Sequence, residues 1–547
     1  MELYGRQDAI VTDALQGYLS RDHGERLSLL DGFPRIKVVV RGDRDDGRVA
    51  VVSGGGSGHE PAHVGYVAEG LLTAAVCGEV FASPSVDAVL AAILAVTGEA
   101  GCLLVVKSYT GDRLSFGLAA ERARGLGRRV EMVVVADDIA IARAEQPRGI
   151  AGTVLVHKVA GFHAARGEAL EVVADRARQA ARAVRSIGIA LATCDLPGQP
   201  ARSQDSSPEL GLGIHGEPGV ETVEVSDAEQ AVSLLVDRLL AADLGDGARL
   251  AVLVNNLGAV TPLEMDIVTR AVLASPLGER TRLLLGPAPA MTSLNMYGFS
   301  LSAVPLLPGV EEALVAPVAA RAWPVVSEPR SPRLEPLDDA VTGWPYRGRP
   351  HVGTERLLRG VCGALVAAEA ALNELDARVG DGDTGSTVAT AGRAVLRALD
   401  EPSLPLDDAG QLCQALGRLL ASAMGGSSGV LVSLLLTRAG VRLGEGASLP
   451  EALLDGAATV QEHGGARVGQ RTLLDALVPA LDVLAAGGPP SAAASAARDG
   501  AESTRDVAST TVGRSSYLPE TSLAGAVDPG ARAVAMAFEA AARASAP

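Results

Sequence analysis

The sequence predicts a multidomain protein: an N-terminal α/β domain of two subdomains followed by a C-terminal domain that is all-α. Three observations carry this. At 547 residues the chain exceeds what one hydrophobic core ordinarily organises. Its first 323 residues alternate short apolar runs with helical patterns, the signature of α/β layering. After a stretch at 324–350 with six prolines, strand-like runs almost vanish and Ala/Leu-rich helical spacing takes over.

The elements follow in chain order. "IKVVV" (36–40), "VAVVS" (49–53), "CLLVVK" (102–107) and "EMVVVAD" (131–137) read as buried strands, with helical patterns such as "SVDAVLAAILAVTGEA" between them. A second α/β block, 186–323, follows the first, 1–185, and carries "GIALATC" (188–194), "ARLAVLVNN" (248–256) and "TRLLLG" (281–286). Its long polar loop, "CDLPGQPARSQDSSPELGLG", is of a length that suggests function. Residues 324–350 read as a semi-rigid linker, because proline favours extended chain. From 351 to 547 the segments "LLRGVCGALVAAEAALNELD", "DAGQLCQALGRLLASAM" and "GARAVAMAFEAAARASA" read as helices.

Composition excludes several classes. A formal charge of −17 with no basic stripe argues against nucleic acid as a partner. No apolar stretch is long enough to suggest a membrane span, and "MELYGRQDAIV" lacks the pattern of a signal peptide. Cys77, Cys102, Cys194, Cys362 and Cys413 show no paired spacing, which predicts reduced thiols and a cytoplasmic chain. The chain holds three lysines (Lys37, Lys107, Lys158) among 48 basic residues, so an ammonium stands out where it occurs.

In "NELDARVGDGDTGST", Asp376, Asp381 and Asp383 fall within eight residues in a glycine-permitted turn. Carboxylates crowded this closely repel unless a cation binds between them or they diverge into water, and hard oxygen ligands select Mg²⁺ or Ca²⁺. An EF-hand fails, since the twelfth position from Asp381 is Gly392 and not glutamate. Magnesium commonly shares its coordination with substrate phosphates. Two glycine-rich candidates for a phosphate cradle exist: Thr384 to Thr387, and "MGGSSGV" at 424–430.

"SGGGSGHEPAHVGY" (53–66) reads in the sequence as a glycine-rich turn between a strand and a helix. It lacks the lysine of a P-loop. Its His59-Glu60-Pro61-Ala62-His63 string matches H-E-x-x-H, but Pro61 disfavours the helix interior that zinc motif needs. His63 is left structural. Ligands of α/β sheets gather outside the carboxyl ends of strands. His59 lies just past one such end, and Asp112 lies in the turn after the strand that ends in Lys107. His215 lies between glycines in "LGLGIHGEPG". Three ionisable groups on separate strand-ending loops predict a site with acid/base chemistry.

These motifs, with "TAAVCGEVFASPSVDAV", "KSYTGDRLSFGLAAE", "PRGIAGTVLVHK", "RTLLDALVPA" and "GRSSYLPETSLAGAVDPGA", span nearly the whole chain in order. The chain resembles the dihydroxyacetone kinase family in its single-chain, ATP-dependent form. The resemblance implies a ketose-binding domain joined to a nucleotide domain built as a closed barrel of helices. It implies phosphorylation of a short ketose by ATP, with two Mg²⁺ ions, in a homodimer. His215 would bond covalently to the substrate carbonyl as a hemiaminal, with His59 and Asp112 as general base and acid. Gly56, Ser57, Gly58 and Lys107 would contact the substrate, and Asp376, Asp381 and Asp383 would hold the metal. Thr384, Gly385, Ser386, Thr387, Ser428, Gly429, Thr472, Arg514, Asp528, Pro529 and Gly530 would line the nucleotide pocket.

Departures from the family pattern lie at "TRDVASTTVGRSS", which has no lysine, and at Val468 and Gln470, where acidic residues are common in relatives. Dihydroxyacetone, glyceraldehyde and the four-carbon erythrulose share the reacting unit, so the residues leave the substrate open among them. Phosphate donation from a phosphotransferase protein, a non-enzymatic ketose sensor and FAD splitting are the rival readings. The fused domains oppose the first, and the retained aspartates oppose the second.

Overall fold

Runs of valine and leucine build two sheets in the computed structural model, which describes residues 3–21, 27–141, 146–199, 207–338, 341, 343–507, 510, 516, 523 and 525–545. The chain divides into two units, Met1–Arg333 and Leu334–Pro547.

The first unit opens with helix α1 (Ile10–Leu19) and then a sheet of β1 (Leu27–Leu29), β2 (Val38–Arg41), β3 (Ala50–Ser57), β4 (Ala74–Val80), β5 (Cys102–Lys107) and β6 (Val130–Val135). Their spatial order is β1-β2-β4-β3-β5-β6, with β4, β3, β5 and β6 mutually parallel and β1 and β2 antiparallel. Helices α2 (Val86–Val96) and α3 (Thr110–Gly125) cover one face, α4 (Thr153–Ala165) and α5 (Leu170–Ala183) the other. Alternation along the strands decides which side chain goes where. Val52 and Leu104 face α2 and α3, whereas Val51, Leu103 and Val105 face α4 and α5.

The second sheet comprises β7 (Arg185–Ala192), β8 (Glu209–Leu210), β9 (Glu221–Thr222), β10 (Leu250–Asn256), β11 (Thr281–Ala288), β12 (Tyr297–Pro305) and β13 (Val326–Ser327), in the order β13-β11-β10-β12-β7-β8-β9. Only β10 and β11 pair in parallel; the rest is antiparallel. Helices α6 (Ala228–Ala241), α7 (Pro262–Ala274) and α8 (Pro276–Arg280) share a core with this sheet, and α9 (Val310–Val315) packs against α4.

Four sequence readings change here. The glycines of 54–56 do not form a turn before a helix: they continue β3, and a 3₁₀ turn, Val64–Tyr66, follows the loop at 58–63. Asp112 sits in the first turn of α3 and not in a loop. β4 and β12 escape a periodicity search because alanine, serine and glycine interrupt their apolar runs. Val326 and Ser327 pair with β11, so the predicted linker begins as the edge of a sheet.

The second unit is all-helical: α10 (Val352–Ala367), α11 (Glu369–Asp376), α12 (Thr384–Asp400), α13 (Ala409–Ala423), α14 (Gly426–Gly444), α15 (Leu449–Gly464), α16 (Leu474–Ala485), α17 (Pro490–Ser503) and α18 (Pro529–Ala544). Successive helices from α12 to α18 pack on one another, α18 packs on α10, and α10 packs on α12. The ring therefore closes as a barrel. Its α16–α17–α18 seam is lined by Ala476, Ala480, Ala493, Ala497, Ala501, Ala531 and Ala535, small side chains that let axes approach.

All five cysteines are free. Among the described residues no helix is long and apolar enough to cross a membrane. Arg514 lies outside the described residues, as does 200–206 of the long polar loop.

Candidate active site

The site of the first unit grows from the carboxyl ends of β3 and β5. Gly55 has φ +153°, and a Cβ there would stand 3.1 Å from Lys107 Cε and 3.3 Å from Asp112 Oδ2. Its missing side chain lets the ammonium and the carboxylate press against the strand. Lys107 is fully buried and its Nζ has no hydrogen-bond partner, lying 5.6 Å above the Tyr109 ring. Burial pushes its pKa down, and Asp112 is the largest opposing influence. Ser83 Oγ donates to Asp112 Oδ1 at 2.5 Å.

His59, just past β3, is wholly buried and stacks on Phe81 with ring centres 5.1 Å apart. Its Nδ1 lies 2.9 Å from the Thr292 carbonyl oxygen. A carbonyl only accepts, so Nδ1 carries the proton and Nε2 presents a lone pair. That Nε2 is buried and unpartnered. Burial first, then the charges of Lys107 and His215, hold the His59 pKa well below its ordinary value, so the ring is a neutral base.

His215 stands beside it, ring centres 4.8 Å apart, and edge-on to Tyr109 at 4.5 Å. Glu217 grips it twice, accepting the backbone N–H at 3.0 Å and Nδ1 at 3.2 Å. By the same logic Nδ1 carries the proton that faces Glu217. Burial would raise the Glu217 carboxyl, but the bonds from His215 outweigh it and hold the pKa at about 2. A Cβ at Gly213 would stand 2.0 Å from Glu217 Oε2, so a side chain there would displace the carboxylate that holds His215. Ser293 Oγ donates to the Ile214 carbonyl at 2.6 Å, and Arg148 Nη2 to that of Gly211 at 2.7 Å. Arg148 is itself anchored on Asp138 Oδ2 at 2.7 Å. The structure thus brings His59, His215, Lys107 and Asp112 together.

Gly56 and Ser57 end β3 beside this group, with Gly58 next in the chain. Ser57 Oγ donates to the Gly78 carbonyl at 2.8 Å, so only its lone pairs are left for a ligand. Gly58 N donates to Glu60 Oε2 at 2.9 Å. His63 belongs elsewhere. It shares Ser53 Oγ with His157 (3.3 Å and 3.0 Å), an arrangement of buried neutral rings and not a zinc site.

In the helical unit, Asp376, Asp381 and Asp383 offer carboxylate oxygens all within 4.8 Å of one another, the group among the described residues able to hold a metal. Asp376 is buried and accepts the N–H groups of Asp383 (2.9 Å) and Thr384 (3.0 Å). All-oxygen donors at this spacing suit a hard divalent cation. Thr384, Gly385, Ser386 and Thr387 form the first turn of α12, whose positive end adjoins the cluster. Asn373 accepts from Ser386 N at 3.0 Å and donates to its Oγ at 2.9 Å. Ser428 and Gly429 lie in the first turn of α14.

Thr472 N donates to Asp475 Oδ2 at 2.8 Å, and Gly530 sits against Leu473, so Thr472, Pro529 and Gly530 are neighbours. Asp528 caps α18 through Ala531 N at 2.7 Å. Burial is the main reason its pKa rises to about 6, with the charges of Asp475 and Asp376 adding to it. Arg471, 2% exposed, directs Nη1 at the carbonyls of Thr504, Val507, Leu523 and Ala526.

Sequence reasoning missed Glu217, Thr292, Tyr109, Arg148, Asn373 and Arg471. Glu217 was within reach, since it stands two residues from His215 in a quoted motif. Thr292 and Arg148 act at long range and leave no local signal.

An α/β unit with a neighbouring histidine pair, one ring of it buried, and a helical barrel with a carboxylate cluster at a helix start define a two-part protein built to handle a small polar ligand and a metal-bound anion. Residues 20–322 match the Dak1 domain and residues 378–543 the DAK2 domain. The chain is 48% identical to the dihydroxyacetone kinase of Citrobacter freundii over 98% of each protein. It is 39% identical to human "Triokinase/FMN cyclase" over 96% of this chain and 95% of that one. The crystal structure of the C. freundii kinase with AMP-PNP and Mg²⁺ matches with a TM-score of 0.77, 46% identity and 99% coverage of both chains. The chain belongs to the dihydroxyacetone kinase family.

Proposed function

We propose that the protein transfers the γ-phosphoryl group of ATP to a hydroxyl of a short ketose, with dihydroxyacetone as the first candidate. The observation that carries this reading is the paired histidine geometry: two neighbouring rings, each with Nδ1 committed to an acceptor. Membership of a family with a kinase 48% identical supports it.

His215 attacks the ketose carbonyl carbon through the nitrogen not held by Glu217, forming a C–N bond while the C=O π electrons pass to oxygen, which takes a proton from solvent. Charge that develops on the ring is offset by Glu217, which stays ionised. The hemiaminal fixes the substrate and selects for a carbonyl, so glycerol is rejected. The neutral His59 then receives the proton of the reacting hydroxyl as its oxygen attacks phosphorus, and Asp112 serves as the acid of the pair. Lys107 and the backbone of Gly56, Ser57 and Gly58 hold the remaining oxygens.

In the helical unit Asp376, Asp381 and Asp383 would hold Mg²⁺, two ions by family resemblance, which when bound would neutralise charge on the ATP phosphates. Thr384 to Thr387, Ser428, Gly429, Thr472, Asp528, Pro529 and Gly530 surround the nucleotide in this reading, and Arg514 joins them by family resemblance.

A coupled assay of ADP release tests the proposal with dihydroxyacetone, glyceraldehyde, erythrulose and glycerol as acceptors. ADP release that depends on a ketose is expected. Equal rates with and without each ketose would overturn the kinase reading, and a preference for erythrulose would assign the four-carbon substrate.

A further inference from the structure

The first unit contains a second cavity, of about 820 Å³, that the reaction above does not use. It runs along β6, the outer strand of the first sheet, between α5 and α6. Met132, Val134 and Ile139 give it an apolar floor. Four arginines converge on it: Arg178 and Arg182 from α5, Arg185 at the start of β7, and Arg238 from α6. In a chain with net charge −17 this concentration of cations runs against the overall composition.

The charge is not consumed locally. Arg178 pairs with Glu131 and Arg238 with Glu221, but both pairs are half-exposed and weak. Arg185 donates to the carbonyls of Arg182 and Val184, which leaves its charge unbalanced. Of the lining acids, Asp138 is already held by Arg148, and Asp243, two residues past the end of α6, sets one further carboxylate against the four arginines. Guanidinium forks match phosphate oxygens bidentately, and an apolar floor adds burial of a flat hydrophobic body. The volume lies within the range of about 300–1,000 Å³ usual for small-molecule sites.

We propose that this cavity binds a small organic phosphate, a phosphomonoester carried on an apolar body, and that its occupancy is transmitted to the His215 loop. The route is short. Asp138 and Ala140 line the cavity. Asp138 anchors Arg148, whose Nη2 donates to the Gly211 carbonyl at 2.7 Å. Ala140 Cβ stands 2.4 Å from where a Gly211 side chain would begin, so it packs directly on the same loop. Binding stands on the cavity alone; its effect on turnover rests on the ketose kinase reading.

The test titrates 2-naphthyl phosphate into the full chain in the presence of saturating Mg²⁺ and AMP-PNP, followed by probe fluorescence anisotropy. Saturable binding of one probe per chain is expected, at least tenfold weaker in the Arg182→Glu/Arg238→Glu double variant. Uncharged 2-naphthol should bind at least tenfold more weakly than the phosphate. The double variant should keep the parent melting temperature and basal turnover. Absence of saturable binding, equal affinity in the double variant, or equal binding of 2-naphthol overturns the site. So does loss of a dimer in the double variant with no probe binding to the parent, because a second copy then fills the cavity. For the coupling, the probe should change the ketose KM at least threefold in the parent and leave the double variant unaffected. An unchanged KM despite binding overturns the coupling. Absence of any ketose-dependent turnover would instead count against the kinase reading and leave the binding result intact.

Discussion

His59 donates its Nδ1 proton to the carbonyl oxygen of Thr292, 2.9 Å away and 233 residues later in the chain. The contact is part of a small clamp: Thr292 N donates to the His59 carbonyl at 3.2 Å, Thr292 Oγ1 to that of Glu60 at 2.8 Å, and Leu294 N to that of Gly58 at 2.8 Å. The loop after β3 in one sheet is thereby tied to the segment after β11 in the other. The tautomer of the base is a consequence of that joining.

His59→Ala should lower kcat by about 10²–10⁴-fold, the usual contribution of a positioned base. Because burial holds the ring neutral, the acid limb of the parent kcat/KM profile that belongs to His59 should lie well below pH 6.5. A pH–rate profile checks both points. A His59-dependent limb at or above pH 6.5 would contradict the buried neutral base.

Glu217→Gln removes the charge beside His215 while keeping the shape. Ketose KM should rise at least tenfold with the ATP KM unchanged, as steady-state kinetics would show. His215→Ala should relax selectivity for a carbonyl, read as the ratio of kcat/KM for dihydroxyacetone to that for glycerol. A ratio equal to the parent's would end the covalent-capture idea.

Acid should destabilise the α/β unit. His59, His63 and His157 are buried neutral with lowered pKa values, His157 at about 3. The unfolded chain binds protons at these rings from about pH 6.5 downward while the folded chain does not, so stability falls as pH drops below that point. Asp137 works in the opposite sense: burial raises it to about 6, so its protonation favours the fold between about pH 6 and 4. Glu60 and Asp138, also raised by burial, act with Asp137, whereas the lowered Glu217 acts with the three histidines, whose protonation in the unfolded chain dominates and leaves a net loss of stability toward pH 4. Urea denaturation at a series of pH values measures it, and a flat profile from pH 6 to 4 would refute it.

Asp381→Asn and Asp383→Asn should each lose the stabilisation that Mg²⁺ with AMP-PNP confers on the helical unit. In the parent that gain is about 2.7 kcal/mol at a ligand concentration of 100 Kd. Thermal shift with and without the pair reads it, and an undiminished shift in both variants would exclude these carboxylates as metal ligands.

Arg471→Ala should destabilise the helical unit by about 2–5 kcal/mol, since it strands buried carbonyls of Thr504 and Leu523. Arg471→Lys should recover only part of this, because an ammonium lacks the planar fork. Denaturation midpoints decide; an unchanged midpoint for Arg471→Ala would show that water replaces the side chain.

Much of the fold is legible locally. "CLLVVK" predicts β5 to the residue, and the helical spacing beyond residue 351 predicts the all-α unit, because strand and helix periods differ and apolar side chains record them. Alanine- and glycine-rich β4 and serine-interrupted β12 were hidden, because their burial comes from neighbouring strands and not from their own hydrophobicity. The glycines of 54–56 misled in the same way: their flexibility suggests a turn, but pairing with β4 extends them as strand.

By itself, the sequence determined what is short-range: the periodicities of strand and helix, three aspartates within one turn, and motifs dense enough to indicate the family. Tertiary structure decided what depends on the path of the chain. It set His59 beside His215, placed Lys107 and Asp112 in the space a Gly55 side chain would fill, and chose the Thr292 carbonyl as the partner that fixes a tautomer. The physical reason is one of range. Backbone propensity acts over a few residues, whereas a buried polar atom takes its partner from whatever the packed chain brings within 3 Å.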